Sequence, residues 1–450
     1  MGSKWKEVDL DKIVTFSQGI QVPVEEQTKF KHGNLGRFLR IVDYTNDAEE
    51  PRFISSPSKR YYVNHDDIVM IRYGSQTAGK VVRGKSGYIA NNMFKIDINV
   101  DFITKDFLFL FLSSNEIYNY LMSSQSSSTM PAISFGMLKG LKVQYPELSE
   151  QRKITRILLT LDKKITLNRQ INQTLEQMAQ TLFKSWFVDF DPVIDNALDA
   201  GNAIPDTLQE RAEQRRLLRA KADFKPLPAE TRALFPSEFE ETELGWVPKG
   251  WAVESLDQIA NFQNGLALQK FRPLNDTDDF LPVLKISDLR QGYTDGVEKA
   301  RTDIVESCRV YDGDMIFSWS GTLMIDVWTG GNAALNQHLY KVTSQKYPLS
   351  FYLYWTKHHL RRFQHIAAAK AVTMGHIKKG DLSDSLCLIP NKEILKKYND
   401  MASNYIEQQI NLRLQNNQLS EIRDLLLPKL ISGELVLDAL PEVPELAEAF

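Results

Sequence analysis

The stretch Glu150–Trp186, EQRKITRILLTLDKKITLNRQINQTLEQMAQTLFKSW, decides the fold. Apolar residues recur in it at intervals of seven, in two rows that each contain one asparagine. The rows are Ile154, Leu161, Asn168, Leu175 and Leu182, and Leu158, Ile165, Asn172 and Ala179. Two such rows are typical of a helix that buries a narrow seam against another helix. No proline or glycine interrupts the stretch, so we predict one helix roughly 50 Å long.

A second stretch, 394–430, is the predicted partner of this helix. Its apolar row, Tyr405, Leu412, Leu419 and Leu426, has the same spacing, and Asn416 lies inside the seam. An asparagine in an apolar seam costs stability but fixes the register of the two helices. Two ordinary core helices would explain these patterns equally well. A duplication in the chain favours the other interpretation, an antiparallel coiled coil.

The duplication has a period of about 245 residues. The segment from Trp5 to Gly19 matches the segment from Trp251 to Gly265, and Thr129-Met130 matches Thr373-Met374. Further matched segments are Arg40-Ile-Val-Asp43 with Lys285-Ile-Ser-Asp288, and Asp67-Ile-Val-Met-Ile-Arg-Tyr-Gly74-Ser75 with Asp314-Met-Ile-Phe-Ser-Trp-Ser-Gly321-Thr322. The order and the near-constant offset predict two similar globular units, each followed by a long helix.

Apolar runs that end in turn residues, at 68–73 and 315–319, indicate buried strands, and 94–98 and 339–342 indicate further strands. Helices are predicted at 106–113 and 348–369. The predicted class is therefore α+β, with a mainly antiparallel sheet in each unit. Between the units, several prolines and an acidic excess favour a solvated linker over a functional module.

Composition excludes several classes of protein. A chain of 450 residues is too long for one core. It contains no apolar run long enough to span a membrane and no apolar signal core at its start. Two cysteines are too few for a disulfide framework or a cysteine-ligated zinc site, so we expect a reducing compartment and a cytoplasmic protein. The net charge of −3 arises in the linker and the tail, which leaves the globular units near neutral.

No motif for catalysis or metal binding is complete. Gly74-Ser-Gln-Thr-Ala-Gly79-Lys80 resembles a phosphate-binding loop, but Val81 stands where Ser or Thr would hold magnesium. The histidines at 358, 359 and 365 have no carboxylate or thiol at ligand spacing, so no metal site is predicted. A basic, glycine-rich loop beside DNA is the better interpretation of residues 74–80.

Cations interleaved with aromatic and small polar residues recur at matching places in both repeats. Lys and Arg suit phosphates, whereas Arg, Gln, Asn and Ser suit base edges. Any one cluster is more often a solvated face, but the recurrence favours DNA. The candidate DNA-binding residues are Arg72, Tyr73, Ser75, Gln76, Lys80, Arg83, Lys85, Ser127, Thr129, Trp319, Ser320, Thr322, Lys357, His358, Arg361, Arg362, Lys370, Thr373 and Lys378.

At Glu150-Gln-Arg-Lys-Ile154, with the Asp162-Lys-Lys-Ile-Thr helix and its echo after Pro390, the chain resembles the specificity (S) subunit of type I restriction–modification enzymes. The likeness covers nearly the whole chain. The second helix departs from the pattern, because Asn391-Lys-Glu-Ile-Leu replaces the Glu-Gln-Arg-Lys-Ile form. The connector at 187–250 is also unusually long.

The resemblance implies a non-catalytic subunit made of six segments. They are target-recognition domain 1 (1–149), spacer helix 1 (150–186), an acidic, proline-containing connector (187–245), target-recognition domain 2 (246–393), spacer helix 2 (394–432) and an acidic tail (433–450). Each recognition domain would read one half of a split, double-stranded DNA target. The helices would set the spacing between the halves.

The resemblance also implies partners. The seam helices would dock two methyltransferase (modification) subunits, which bring S-adenosylmethionine. Restriction or motor subunits would bring ATP and magnesium, and this chain itself would hold no cofactor. A protein-only scaffold and an enzyme with an unrecognised site are the alternatives.

Overall fold

The structure, a computed structural model, describes residues 5–46, 49–124, 132–275, 277–369, 375–435 and 437. The chain divides into two compact units. One contains Met1–Ile165 with Leu419–Phe450, and the other contains Thr166–Gln418. Each unit holds one globular domain together with part of each long helix. Within the described ranges, no helix combines the length and the apolar character that a membrane span requires.

The first globular domain comes before the first long helix. Its strands are β1 (Lys6–Asp9), β2 (Val14–Gln18), β3 (Leu35–Leu39), β4 (Arg52–Ser55), β5 (Tyr62–Val63), β6 (Ile68–Ile71), β7 (Val81–Val82), β8 (Gly87–Ile89), β9 (Met93–Ile98) and β10 (Lys142–Tyr145). Its helices are α1 (Ile41–Thr45), α2 (Lys105–Leu112), α3 (Asn115–Ser123) and α4 (Phe135–Lys139), after which α5 (Leu148–Phe187) begins.

The connector follows α5. It contains the helices α6 (Asp191–Ala200), α7 (Gln209–Arg219) and α8 (Ala229–Arg232) and the hairpin β11 (Phe239–Thr242) and β12 (Gly245–Pro248). Val193, Ile194 and Ala197 of α6 are fully buried, as are Phe235 and Val247 farther along. The interpretation of this segment as a solvated linker is therefore wrong. Its apolar residues are interspersed with prolines and charged residues, so the composition of the segment did not predict a buried face.

The second globular domain repeats the first. Its strands are β13 (Ala252–Ser255), β14 (Asn261–Asn264), β15 (Phe280–Leu284), β16 (Lys299–Arg301), β17 (Arg309–Val310), β18 (Met315–Ser318), β19 (Met324–Val327), β20 (Ala333–Leu335), β21 (Leu339–Thr343) and β22 (Leu386–Ile389). Its helices are α9 (Leu256–Ile259), α10 (Ile286–Gln291), α11 (Leu349–Ala369) and α12 (Lys379–Ser383), and α13 (Lys392–Ile431) follows.

The sheets of the two domains have matching strand orders. The orders β2-β9-β6-β7, β4-β3-β8-β5 and β1-β10 in the first domain correspond to β14-β21-β18-β19, β16-β15-β20-β17 and β13-β22 in the second. Pairing is antiparallel except between β3 and β8 and between β15 and β20, which are parallel in both copies. The predicted α+β class and internal repeat are confirmed. The four residues of β6 and the four of β18 are buried, as their apolar runs predicted.

The long helices α5 and α13 pack antiparallel. In one unit, Asn168 Nδ2 donates to Asn416 Oδ1 at 2.9 Å, and the Phe187 ring lies 4.8 Å from that of Tyr398. In the other unit, Arg423 Nη1 donates to Asp162 Oδ1 at 2.9 Å. Because residues late in α5 face residues early in α13, the predicted antiparallel pair is confirmed.

Burial follows the predicted rows closely on α5 and less closely on α13. On α5, Ile154, Leu158, Ile165, Asn168 and Leu175 are buried, and Leu161, Asn172 and Leu182 are half-buried. On α13, Asn416 is buried, whereas Tyr405, Leu412, Leu419 and Leu426 are half-buried. The most buried row of α13 is one that the heptad pattern missed. It packs on the core of the second domain at Ile394, Tyr398, Ala402 and Ile406.

Several of the matched sequence segments serve the fold. The buried carboxylates of Asp43 and Asp288 accept the backbone N–H groups of Arg40 and Lys285, at 2.8 and 3.0 Å, and so begin α1 and α10. Gln151, also buried, donates to the carbonyls of Phe102 and Pro146 at 2.9 Å. This amide fastens the first turn of α5 to the first domain. At the start of α13, the Asn391 side chain instead accepts the N–H of Ile394 at 2.8 Å.

Candidate nucleic-acid interface

In each domain, the buried central strand of one sheet ends at an edge lined with polar side chains. β6 leads into Arg72 and Tyr73, and β18 leads into Trp319 and Ser320. A segment from later in the chain is hydrogen-bonded to each of these strand ends. Ile133 N–H donates to the Arg72 carbonyl at 2.9 Å, and Ile377 N–H donates to the Trp319 carbonyl at 3.1 Å. The two edges are therefore built from corresponding positions.

A glycine brings a second loop to each edge. A Cβ atom on Gly19 would lie 2.2 Å from the Ala90 carbonyl oxygen, and one on Gly265 would lie 2.2 Å from that of Asn336. No side chain tolerates such a contact with backbone, so only glycine fits at either position. The two glycines occupy matching positions in the sequence repeat. Gly19 places the chain after β2 against the segment before β9, and Gly265 places the chain after β14 against the segment before β21.

The first polar edge consists of Gln18, Gln21, Arg72, Tyr73 and Asn91. Gln18 Nε2 donates to the Asn91 carbonyl at 3.1 Å, and Asn91 Nδ2 donates to Gln21 Oε1 at 3.3 Å. Arg72 Nε donates to the Ile133 carbonyl at 3.2 Å. These bonds leave amide and guanidinium groups exposed or half-exposed in fixed orientations.

The second polar edge consists of Asn264, Trp319, Ser320, His338 and His376. Trp319 Nε1 donates to Asn264 Oδ1 at 3.1 Å, and Ser320 Oγ lies 3.0 Å from His338 Nδ1. The Trp319 ring lies 6.0 Å from the His338 ring and 6.3 Å from the His376 ring. This edge offers amide, imidazole and indole groups in place of the guanidinium of the first.

A separate ionic cluster joins the second domain to α5 and α13. Glu176 of α5 accepts Lys357 Nζ at 2.6 Å and the Tyr354 hydroxyl at 3.0 Å, and Arg413 of α13 donates two hydrogen bonds to Asp326, at 2.7 and 2.9 Å. Burial alone would raise the pKa of Glu176, but Lys357 and the hydrogen bonds outweigh it and hold that pKa below its usual value. These groups surround a polar cavity of about 160 Å³.

An open groove of about 740 Å³ lies between α5 and the connector. Its lining includes apolar side chains from α5, α7, α13 and the segment after α7, namely Met178, Leu182, Leu218, Phe224, Leu227 and Tyr405. Lys221 and Lys225 also line it. Exposed apolar side chains such as Met178, which is 44% exposed, indicate a surface suited to another protein chain.

The comparisons with known proteins agree with this architecture. The sequence model for the "type I restriction modification DNA specificity domain" matches residues 2–177 and 248–421, which is one match for each repeat. This chain belongs to that family. The predicted identity as a type I specificity subunit, a non-catalytic role, is thereby confirmed.

Individual relatives cover most of the chain. The type I restriction enzyme HindI specificity subunit of Haemophilus influenzae is 30% identical over an alignment of 377 residues that covers 77% of this chain and 81% of that protein. The MjaIX specificity subunit of Methanocaldococcus jannaschii is 24% identical over an alignment of 370 residues that covers 80% of this chain and 76% of that protein. A crystal structure of a type I S subunit from M. genitalium has the same fold, with a TM-score of 0.54, 12% identity and coverage of 95% and 96%.

Some candidate residues of this specificity subunit lie at or beside the polar edges. Arg72, Tyr73, Trp319 and Ser320 are part of them, and Ser75, Gln76, Lys80 and Thr322 are exposed in the loops that follow β6 and β18. Lys378 is exposed after the loop that pairs with Trp319. Ser127, Thr129, Lys370 and Thr373 lie outside the described residues.

Other candidates have partners within the protein. Lys357 binds Glu176, and Arg362 Nη1 donates to Ser385 Oγ at 2.6 Å. Arg83 pairs with Asp106 at 2.5 Å, and Lys85 donates to the Asp43 carbonyl. His358 and Arg361 are exposed on α11. The basic residues spaced four apart on α11 therefore have different surroundings. Lys357 faces the long helices, whereas Arg361 is exposed.

Sequence reasoning missed Gln18, Gln21, Asn91, Asn264, His338 and His376. A signal was present, because Gln18 and Asn264 directly precede the repeated glycines, Asn91 lies two residues before β9, and His338 directly precedes β21. Within the described ranges, no group of three or more His, Cys, Asp or Glu side chains is arranged to hold a metal ion.

Proposed function

We propose that the first and second polar edges each contact base edges in one half of a bipartite, double-stranded DNA target. The observation that carries the proposal is the construction of both edges from corresponding positions with different side chains. Arg72 corresponds to Trp319, Tyr73 to Ser320, and Gln18 to Asn264. A shared scaffold with exchanged side chains is what two readers of different sequences require.

The chemistry of the edges suits the major groove. Guanidinium and amide groups form paired hydrogen bonds to guanine and adenine there, and hydroxyl groups bind either. The exposed loop residues Gln76, Lys80 and Lys378 suit phosphates, which fix position without reading sequence. The near-neutral charge of both domains means that phosphate contacts alone supply little affinity.

The paired helices α5 and α13 would set the gap between the two half-sites and dock two modification subunits. The groove between α5 and the connector supports this, since its apolar side chains and its charged side chains of both signs suit an amphipathic segment of another protein. The modification subunits would supply S-adenosylmethionine, and restriction or motor subunits would supply ATP and magnesium. The assembled complex would act in the cytoplasm, where its DNA target lies.

Selection from a random pool of duplex DNA tests the proposal. The full chain, assembled with its modification subunits, is expected to enrich two short conserved blocks separated by a gap of constant length. Affinity for the enriched duplex should fall with rising salt, and discrimination between matched and mismatched blocks should persist. A pool without conserved blocks would contradict sequence-specific reading and favour a scaffold that binds only protein.

A further inference from the structure

The Arg72 side chain is held in place at the centre of the first polar edge. Its Nε atom donates to the Ile133 carbonyl at 3.2 Å, and its guanidinium carbon lies 5.0 Å from the Tyr73 ring and 5.9 Å from the Phe135 ring. Phe135 is itself stacked on Phe16 at 5.2 Å. An arginine fixed by its Nε atom and by aromatic rings loses little conformational entropy when its outer nitrogens bind a ligand.

The two terminal nitrogens of Arg72 have no hydrogen-bond partner and no carboxylate in ion-pair contact among the residues that the structure describes. Three other arginines of this domain, Arg37, Arg40 and Arg83, differ. Arg83 is paired with Asp106, and Arg37 and Arg40 are both paired with Asp43. Their charges are used within the fold, whereas the outer face of Arg72 offers two parallel N–H groups to a ligand.

The corresponding position of the second domain has different chemistry. Trp319 Nε1, the only donor of that side chain, is already bonded to Asn264. No guanidinium belongs to the second polar edge, whose polar groups are amide, hydroxyl and imidazole. The two edges therefore differ most at this one position.

We infer that Arg72 is a specificity-determining residue that reads a guanine in the half-site of the first domain. This inference rests on the proposed DNA-reading function and adds the identity of one base that is read. The two outer nitrogens would donate to guanine O6 and N7 in the major groove, the arrangement that a planar, bidentate donor favours. Trp319, the corresponding residue of the second domain, cannot make this pair, so the second domain is not expected to read guanine through this position.

Parallel DNA selections with Arg72→Ala, Arg72→Lys and the unaltered chain, each in the assembled complex, test the inference. The unaltered chain is expected to require guanine at one position of one block. Arg72→Ala should lower the preference for guanine there by about 5- to 150-fold, and Arg72→Lys should also lose most of it, since an ammonium cannot form the bidentate pair. The other block should stay unchanged, which shows that the variant is folded.

Arg60→Ala is the matched control, because Arg60 also lies over the ring of its neighbouring tyrosine, at 4.4 Å, but is outside the first polar edge. It should leave both blocks unchanged. The inference is overturned if Arg72→Ala weakens binding to all sequences equally, which would indicate a phosphate contact, or if no guanine preference changes. If the unaltered chain enriches no blocks at all, the proposed function fails instead.

Discussion

The immediate surroundings of a residue decide whether its charge is available to DNA. Lys357 follows an aromatic-rich helical segment and Arg72 follows an aliphatic strand, and both were candidates for DNA binding. Lys357 lies against Glu176 of α5, whereas Arg72 makes no ion pair with a carboxylate among the described residues. Periodicity places Lys357 on a helix face, but it does not say which neighbour that face meets.

The Glu176 cluster gives a prediction about stability and pH. Glu176→Gln should lower the free energy of local unfolding of α11 by about 1–3 kcal/mol at pH 7, since it leaves the half-buried Lys357 without a counter-charge. The pKa of Glu176 is lowered in the folded state, so its contribution is present above the ordinary pKa of 4.5 and is lost as the pH falls through the folded value.

Hydrogen exchange of the α11 amides at pH 7 and near pH 4 measures this difference. Glu407→Gln, on an exposed position of α13, is the control and should change little at either pH. An equal loss of protection at both pH values for Glu176→Gln would contradict the role of the carboxylate charge.

At the level of secondary-structure elements, the sequence predicted most clearly the features in which apolar residues or whole segments recur at a regular spacing. The heptads of α5, the buried runs of β6 and β18 and the repeat itself follow directly from the spacing of apolar residues. The fold of the connector was missed because its buried apolar residues lie among prolines and charges, and many of those charges pair with one another. Asp191, Asp195 and Asp199 of α6 face Arg211, Arg215 and Arg219 of α7, each pair 20 residues apart.

Only some residues of the polar edges could be predicted from the sequence. Arg72 and Trp319 follow buried strands and could be found from the sequence. Asn91 and His338 lie 19 positions after Arg72 and Trp319 and join them through sheet register. The contacts of Gly19 with Ala90 and of Gly265 with Asn336 link residues 71 positions apart. Neither composition nor periodicity records such a contact.

The ladder between α6 and α7 gives the second prediction. Arg215→Ala should weaken the packing of α6 on α7 by about 3 kcal/mol, because the carboxylate of Asp195, itself 6% exposed, then keeps only Arg219, at 4.0 Å. Arg216→Ala, which removes only the exposed pair with Glu213, should cost less than about 1 kcal/mol. Hydrogen exchange of the α6 amides separates the two. Similar losses for both variants would show that the ladder adds no stability beyond that of a surface pair.

At the scale of the whole molecule, two copies of one domain are joined by helices that run through both compact units. Asn168 and Asn416 fix the register of the helix pair through a bond of 2.9 Å between buried amides. A polar pair inside an apolar seam penalises every slipped alignment. We therefore expect the length of the helices to set the gap between the two halves of the DNA target.

Lengthening both helices tests this role. One heptad inserted after Asn168 and one inserted before Asn416 keep the seam in register and add about 10 Å of helix. DNA selection should then return the same two blocks with a gap longer by about three base pairs, since one base pair spans about 3.4 Å. An insertion in α5 alone should instead destabilise the pair. An unchanged gap after the double insertion would contradict a spacing role.

We propose that each domain reads its own half of the target. DNA selection with two variants of the assembled chain tests this directly, Arg72→Ala in the first domain and Trp319→Ala with His338→Ala in the second. We expect each variant to lose base preference in a different block and to keep the other block and the gap. Loss of both blocks in either variant, or loss of the same block in both, would contradict it.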